Sequence, residues 1–330
     1  MQKKSIALPV RASALVLFLL CGFTDQPTFG QPSPTQGQSR STNDRESLRL
    51  WLENMVWHHR FSREEILQVT GLDAASLADA LKEFNIAPEN QPQPQADSPM
   101  LMLPYPGGRH PRIGFLDGAI EPQRETKLSL FTPWDRTSYT VLDVPEAIWS
   151  NLGLTYLAHT HIDTLWTKQG IELPQLEWEH QSNGSLRQVR ELPNKIRYEV
   201  VATPHRDHVT IRMALTNGTQ AELSDLRVQM CAMLKAMKGF DQQTNENKVF
   251  RSPFAACRNV AGDRWVILGF RKNHKTWGNP PCPCLHSDPI FDPCPPGETR
   301  WVDGWFSFYE GKDIQSELDR IEAIWRTDRD

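Results

Sequence analysis

Val209-Thr-Ile-Arg-Met-Ala-Leu215 places an apolar side chain at every second position, and Asn217-Gly218 follows shortly after. Alternation of this kind marks a strand with one buried face. Asn-Gly is a tight-turn pair, because both residues tolerate positive φ. Working outward, short β-branched or aromatic runs bounded by turn residues recur at 127–131, 139–143, 155–163, 196–202, 208–215, 223–233, 264–270 and 304–309. Almost no helical stretch separates them, and the chain carries 25 prolines and 19 glycines. Many strands without intervening helices favour an antiparallel sandwich over a parallel α/β sheet. The expected fold is therefore mainly β, with a β-sandwich (or the larger supersandwich) over residues 105–330. A last helix, capped by Asp313, shows Ile314, Leu318, Ile321 and Trp325 on one face and is expected to cross the sandwich.

Upstream of the strands the period changes to that of a helix. Leu48, Leu52, Met55 and Val56 recur at three- to four-residue spacing, and Ser62-Arg-Glu-Glu65 reads as a capping box before Ile66 and Val69. Gly71 ends that helix, and Asp73 caps another carrying Leu77, Leu81 and Phe84. Residues 45–86 thus read as a small unit resembling a helix-turn-helix. Asp73, Asp79 and Glu83 against Lys82 make it a packing or partner-docking module rather than a DNA reader. Residues 87–104, with Pro88, Pro92, Pro94, Pro99 and Pro104, read as an extended linker, and residues 31–44 as a polar tether.

The first ~30 residues read as a cleaved export signal. Lys3, Lys4 and Arg11 precede an apolar run from Ala12 to Phe23, and Thr28-Phe29-Gly30 offers small residues at the cleavage positions. Cys21 suits a lipoprotein less well, because Phe18-Leu19-Leu20 lacks the small residue such processing wants. The expected location is periplasmic or extracellular. No other apolar run is long enough to span a bilayer. Losing the signal takes the net charge from −4 to −6. A mildly acidic chain without a basic tract argues against nucleic acid and anionic membranes as partners.

Five cysteines remain after the signal: Cys231, Cys257, Cys282, Cys284 and Cys294. An odd number in an oxidising compartment leaves at least one outside any intramolecular pair. Three of them share a proline-stiffened loop, Asn279-Pro-Pro-Cys282-Pro-Cys284-Leu-His286-Ser-Asp288, which continues to Cys294. One reading bridges Cys282 or Cys284 to Cys294, with the other cysteine reaching Cys231 or Cys257. The other reading makes Cys284 and His286 ligands of zinc or another transition metal. A second candidate is Leu157-Ala-His159-Thr-His161-Ile-Asp163. On a strand, His159, His161 and Asp163 would share a face and converge on one metal ion, or a histidine would act as acid or base.

The third candidate is Tyr105-Pro-Gly-Gly-Arg109-His-Pro-Arg112 through Asp117, Arg124 and Trp134. Arginine forks suit carboxylate or sulfate groups, Asp117 can accept hydroxyl protons, and a tryptophan can stack on a sugar. Glu310, between Tyr309 and Gly311, is a candidate acid. Ordinary salt bridges and core aromatics explain the same residues without any site. Phosphate loops, dinucleotide fingerprints and nucleophile elbows are missing from the sequence. Asn183-Gly-Ser and Asn217-Gly-Thr match the glycosylation sequon but read as turns.

The segments His110-Pro-Arg-Ile-Gly-Phe-Leu-Asp-Gly-Ala, Val144-Pro-Glu-Ala-Ile-Trp, His159-Thr-His161, Leu215-Thr-Asn-Gly-Thr, Cys282-Pro-Cys284-Leu-His286-Ser-Asp-Pro and Gly304-Trp-Phe-Ser-Phe-Tyr-Glu-Gly resemble a family of exported proteins of planctomycete-type bacteria. That resemblance implies export and no particular activity. The Thr-Asn-Gly-Thr turn after an alternating strand, with a histidine-bearing central strand, is also similar to the galactose-mutarotase-like supersandwich. The expected function is the binding or processing of a carbohydrate or related small molecule at a histidine-lined, metal-competent site. The alternative is an exported structural protein whose residues 45–86 dock a protein partner.

Overall fold

A computed structural model of the chain describes residues 44–93, 95, 97–107, 109, 126–158 and 162–327. The expected signal peptide and nearly all of the tether lie outside them. The alternation around Val209 behaves as its period requires: Val209, Ile211, Met213 and Leu215 are buried, while Arg212 between them is exposed. That strand is β8 (His208–Asn217) of an eight-stranded sheet. Its order is β10 (Lys248–Arg251), β11 (Phe254–Arg258), β12 (Arg264–Phe270), β15 (Thr299–Glu310), β8, β7 (Ile196–Pro204), β6 (Leu186–Glu191) and β5 (Glu179–His180).

The second sheet has seven strands. In order they are β1 (Met102–Pro104), β2 (Lys127–Thr132), β3 (Asp135–Ser150), β9 (Arg227–Met233), β14 (Cys284–Pro289) and β13 (Asn273–Trp277), with β4 (Gly153–Leu157) paired to β3. Neighbouring strands in both sheets are antiparallel. One core joins the sheets' inner faces, with Leu128, Leu142, Ile148, Met230 and Leu285 from one and Tyr198, Val200, Met213, Val266 and Phe306 from the other. Each such side chain, fully buried, contributes about 1.5–3 kcal/mol. The mainly-β sandwich with its terminal helix is the observed fold.

Several boundaries differ from the sequence pattern. The strand expected over 155–163 is β4, which ends at Leu157; Asp163 lies outside any strand. The hydroxyls of Thr164 and Thr167 bond nearby backbone amides there and turn the chain. Strand β9 starts at Arg227, and Leu223 makes only an isolated bridge to Cys294. The proline-rich linker finishes as β1, whose Met102 pairs with Leu130 of β2. Strands β13 and β14 are too polar for alternation to reveal, and their extended form comes from pairing with each other and with β9.

The N-terminal helices follow their caps. They are α1 (Arg45–Glu53), α2 (Arg63–Thr70) and α3 (Ala74–Glu83). Ser62 and Glu65 form the capping box, Gly71 closes α2 at φ 70°, and Asp73 caps α3. Leu48, Leu52, Met55, Ile66, Val69 and Leu77 make a local core. A π-helical turn, Asn54–His58, ends α1 and points the chain at the seven-stranded sheet. There Asn54 Nδ2 donates to the Pro104 carbonyl (2.9 Å), and His59 Nε2 meets Ser129 Oγ at 2.7 Å. Arg109 completes the attachment: it grips Glu65 with two bonds of 2.6 and 2.7 Å and donates to the carbonyls of His59 and Arg60. The helical segment thus packs on the chain's own sheet. On the other side of the molecule α4 (Ile314–Thr327) lays Ile314, Leu318, Ile321 and Trp325 over Phe254, Trp265, Ile267 and Trp305. Among the described residues no helix is long and apolar enough to cross a membrane.

Candidate functional site

The period of two along β14 separates Leu285, which enters the core between the sheets, from Cys284, His286 and Asp288, which face outward. Across the ladder His286 pairs with Cys231 of β9, and Cys284 pairs with Met233. Met230 and Ala232 are core residues, so Gln229 and Cys231 share the outer face. Farther across, Asp143 of β3 pairs with Cys231, and Lys127 of β2 pairs with Asp143. The β3 register slips between Asp143 and Ala147, where Pro145 interrupts the ladder. Glu146 sits in that slip, and its Oε2 accepts the Gln229 amide at 2.6 Å.

The result is a row of polar side chains on one face, all withdrawn from solvent. Relative exposures are 0% for Lys127 and Asp143, 1% for Cys231, 2% for Glu146, 3% for Cys284 and His286, and 4% for Asp288. Lys127 Nζ and Asp143 Oδ2 lie 2.7 Å apart, an ion pair without a well-directed hydrogen bond, and Thr126 donates to Asp143 Oδ1. Cys284 Sγ lies 3.3 Å from His286 Nε2, and the ligand atoms of Cys231, Cys284 and His286 are all within 4.8 Å of one another. The other imidazole nitrogen, Nδ1, stands 3.9 Å from Glu146 Oε2 and 4.0 Å from Asp288 Oδ1. It has no hydrogen-bond partner among the described residues. Trp277 stacks on the imidazole (3.8 Å between centroids, 11° between planes) and donates Nε1 to Asp288 Oδ2 at 2.6 Å. Asp288 Oδ1 also accepts from the Met230 amide.

The charges lean on one another. The Cys284 thiol is held well below its usual range by its hydrogen bond with Cys231, and also by His286, against the opposing effect of burial. Burial alone would push His286 down, but the Cys284 sulfur, then Glu146 and Asp288, raise it. Asp288 is raised by burial, which outweighs its contacts with His286 and Trp277. Cys284 and His286 therefore favour a thiolate beside an imidazolium.

Of the residues expected from sequence, Cys284 and His286 meet here. His159, His161, Arg112, Asp117 and Arg124 lie outside the described residues. Ala158, just before His159, donates its amide to the Glu146 carbonyl at 2.8 Å. Asp163 is exposed and accepts from Thr167. Glu310 is exposed and pairs with Arg264, whose guanidinium also covers Trp134, itself stacked on Phe240. Glu310 closes β15, an interior strand of the eight-stranded sheet, and Trp134 lies in the turn between β2 and β3; they are bonded as an ordinary surface pair and a packed aromatic.

The expected bridges are not formed: among the described residues there is no disulfide. Cys294 is buried in the core between the sheets and donates to the Glu298 carbonyl, whereas Cys284 faces outward from the seven-stranded sheet. Cys284 and Cys294, ten positions apart, thus lie on opposite faces of the seven-stranded sheet, which keeps them from bonding to each other. Cys257 is a core residue whose thiol burial pushes up to about 12. Cys282 packs beside Cys231 and Cys284. Sequence reading missed Glu146, Gln229 and Trp277 as members of the group. The one signal for Glu146 was an acid next to Pro145 inside a strand-like run.

No protein-family model and no curated protein matches the chain. Among solved structures, a polysaccharide lyase is similar with a TM-score of 0.36 and 11% identity, over 67% of this chain and 34% of that one. A proposed aldose 1-epimerase from Escherichia coli K12 is similar with a TM-score of 0.32 and 11% identity, over 53% and 84%. A heparan sulfate lyase mutant from Pedobacter heparinus is similar with a TM-score of 0.34 and 8% identity, over 72% and 41%. The chain spans about a third of the polysaccharide lyase and two-fifths of the heparan sulfate lyase.

Proposed function

We propose that this chain is an exported protein that binds or processes a carbohydrate, with its working groups on the outer face of the seven-stranded sheet around His286, Glu146 and Asp288. One observation carries the reading. A buried imidazole nitrogen without a partner among the described residues faces two carboxylates at about 4 Å. Burying a polar nitrogen without a partner costs about 1–3 kcal/mol, so a His286 Nδ1 left unpartnered among the described residues, beside two carboxylates, is a mark of function rather than of packing. An imidazole flanked by two carboxylates suits a hydroxyl-rich ligand. The carboxylates accept hydroxyl protons, and the imidazole passes a proton to or from the reacting carbon or oxygen.

The alternative, a structural protein that docks a partner through residues 45–86, has less support. Much of that segment's apolar surface packs internally, and its His59 edge meets the chain's own sheet. Trp277, stacked on His286, supplies the test. Tryptophan fluorescence of the folded chain, titrated with neutral sugars and uronic acids, is expected to change saturably. The response should vanish in Glu146→Gln/Asp288→Asn. If no sugar in the panel moves the emission or the melting temperature of the wild-type chain, the carbohydrate reading is wrong.

A further inference from the structure

We propose that Cys231, Cys284 and His286 together form a binding site for a divalent metal ion of the thiolate-seeking class, zinc first among them. This concerns what the buried face holds, and it stands whether or not the ligand there is a sugar. The first support is register. Cys231 lies directly opposite His286, and Cys284 is two residues along the same strand, so antiparallel pairing alone sets all three on one face.

Distance is the second support. In a tetrahedral zinc site, sulfur and nitrogen ligands at about 2.3 and 2.0 Å from the ion stand about 3.5 Å from each other, and two sulfurs about 3.8 Å. Here Cys284 Sγ and His286 Nε2 are 3.3 Å apart, and all three ligand atoms lie within 4.8 Å. A few tenths of an ångström of side-chain movement closes the set. A disulfide is the competing use of the two cysteines. They are diagonal neighbours across the ladder, where Cβ atoms stand roughly 6–7 Å apart, against the ~4 Å a disulfide requires.

Surroundings are the third. Metal-bound histidines turn their second nitrogen toward a carboxylate, which fixes the ring and strengthens the ligand. Nδ1 of His286 faces Glu146 and Asp288, while Trp277 clamps the ring plane and bonds Asp288. Two thiolates also neutralise a divalent ion, so the occupied site would put no net charge into a buried setting. Three protein ligands leave a fourth position for water or a ligand oxygen, the composition of catalytic rather than structural zinc sites. The sequence had pointed to Cys284 and His286 as metal ligands, and also to His159, His161 and Asp163; Cys231 entered only as a disulfide candidate, and Asp163 is exposed and bonded to Thr167.

Cobalt(II) is the probe. Added to the folded, metal-stripped full chain, it is expected to bind at one equivalent and to give thiolate-to-cobalt charge-transfer absorption with the intense visible bands of a tetrahedral ion. Zinc should displace it. Cys231→Ser and Cys284→Ser should each remove part of the charge-transfer intensity, and the double variant all of it. Asp288→Asn should leave the spectrum in place and weaken binding about 10–100-fold, as outer partners of a metal-bound histidine do. The proposal is overturned if the wild-type chain binds cobalt without thiolate absorption. It is equally overturned if the double variant keeps the spectrum, or if peptide mapping of the native protein finds Cys231 and Cys284 joined to each other. A sugar response without metal would leave the functional reading intact and remove only this site.

Discussion

Single residues decide how the buried face is tolerated. Lys127 and Asp143 are fully buried and hold each other across β2 and β3. Lys127→Met leaves the carboxylate without its cation and should cost about 3–5 kcal/mol in urea unfolding, whereas Lys127→Met/Asp143→Leu should regain most of that loss. A single variant that costs less than ~1 kcal/mol would show that Asp143 finds another partner. His58 makes a second residue-scale case. Burial, with Arg136 and Arg60 nearby, lowers its pKa from 6.5 to about 4, and Gln91 donates to its Nδ1. Between those values the unfolded chain holds the proton and the folded chain does not. Stability should therefore fall as the pH drops from 6.5 toward 4, by roughly 3 kcal/mol in all. Urea midpoints measured across that range should show the slope in the wild type and lose it in His58→Gln. An unchanged slope in the variant would assign the effect to other groups.

Elements were legible wherever one physical signal sufficed. The Ser62–Glu65 box, the Asp73 and Asp313 caps and the four-residue stripe of α4 all stand where the pattern put them. The stripe has an energetic meaning. Trp325 stacks on Phe254 at 5.0 Å, with the Arg271 guanidinium also over its ring. Trp325→Ala should cost about 3–5 kcal/mol, in line with other deleted core aromatics. Gly269, beneath them, has no room for a side chain: an added Cβ would lie 2.5 Å from Phe254 Cδ1. Gly269→Ala should then cost about 1–3 kcal/mol through overpacking. Thermal unfolding measures both, and a neutral Gly269→Ala would mean that Phe254 can move aside. Elements carried by pairing instead of pattern were not legible. Strands β13 and β14 hold Asn, His, Lys, Cys and Asp, and only their neighbours make them strands.

At the scale of the whole molecule, the sequence by itself determined the class. Alternating apolar residues separated by turns can bury one face only by stacking sheets, and one apolar stripe on the last helix can only be laid across such a stack. It also determined which residue types were available for chemistry, and it singled out Cys284 and His286. Tertiary structure alone decided which of them meet. Strand order brings β14 beside β9, so Cys231 arrives from 55 positions before His286, and the slip in β3 turns Glu146 toward the same place. It also sent Cys294, ten residues after Cys284, to the opposite side of the sheet. The physical reason is that side-chain facing is a local property with period two. Strand order and register are set by long-range burial of the common core, which no local pattern encodes.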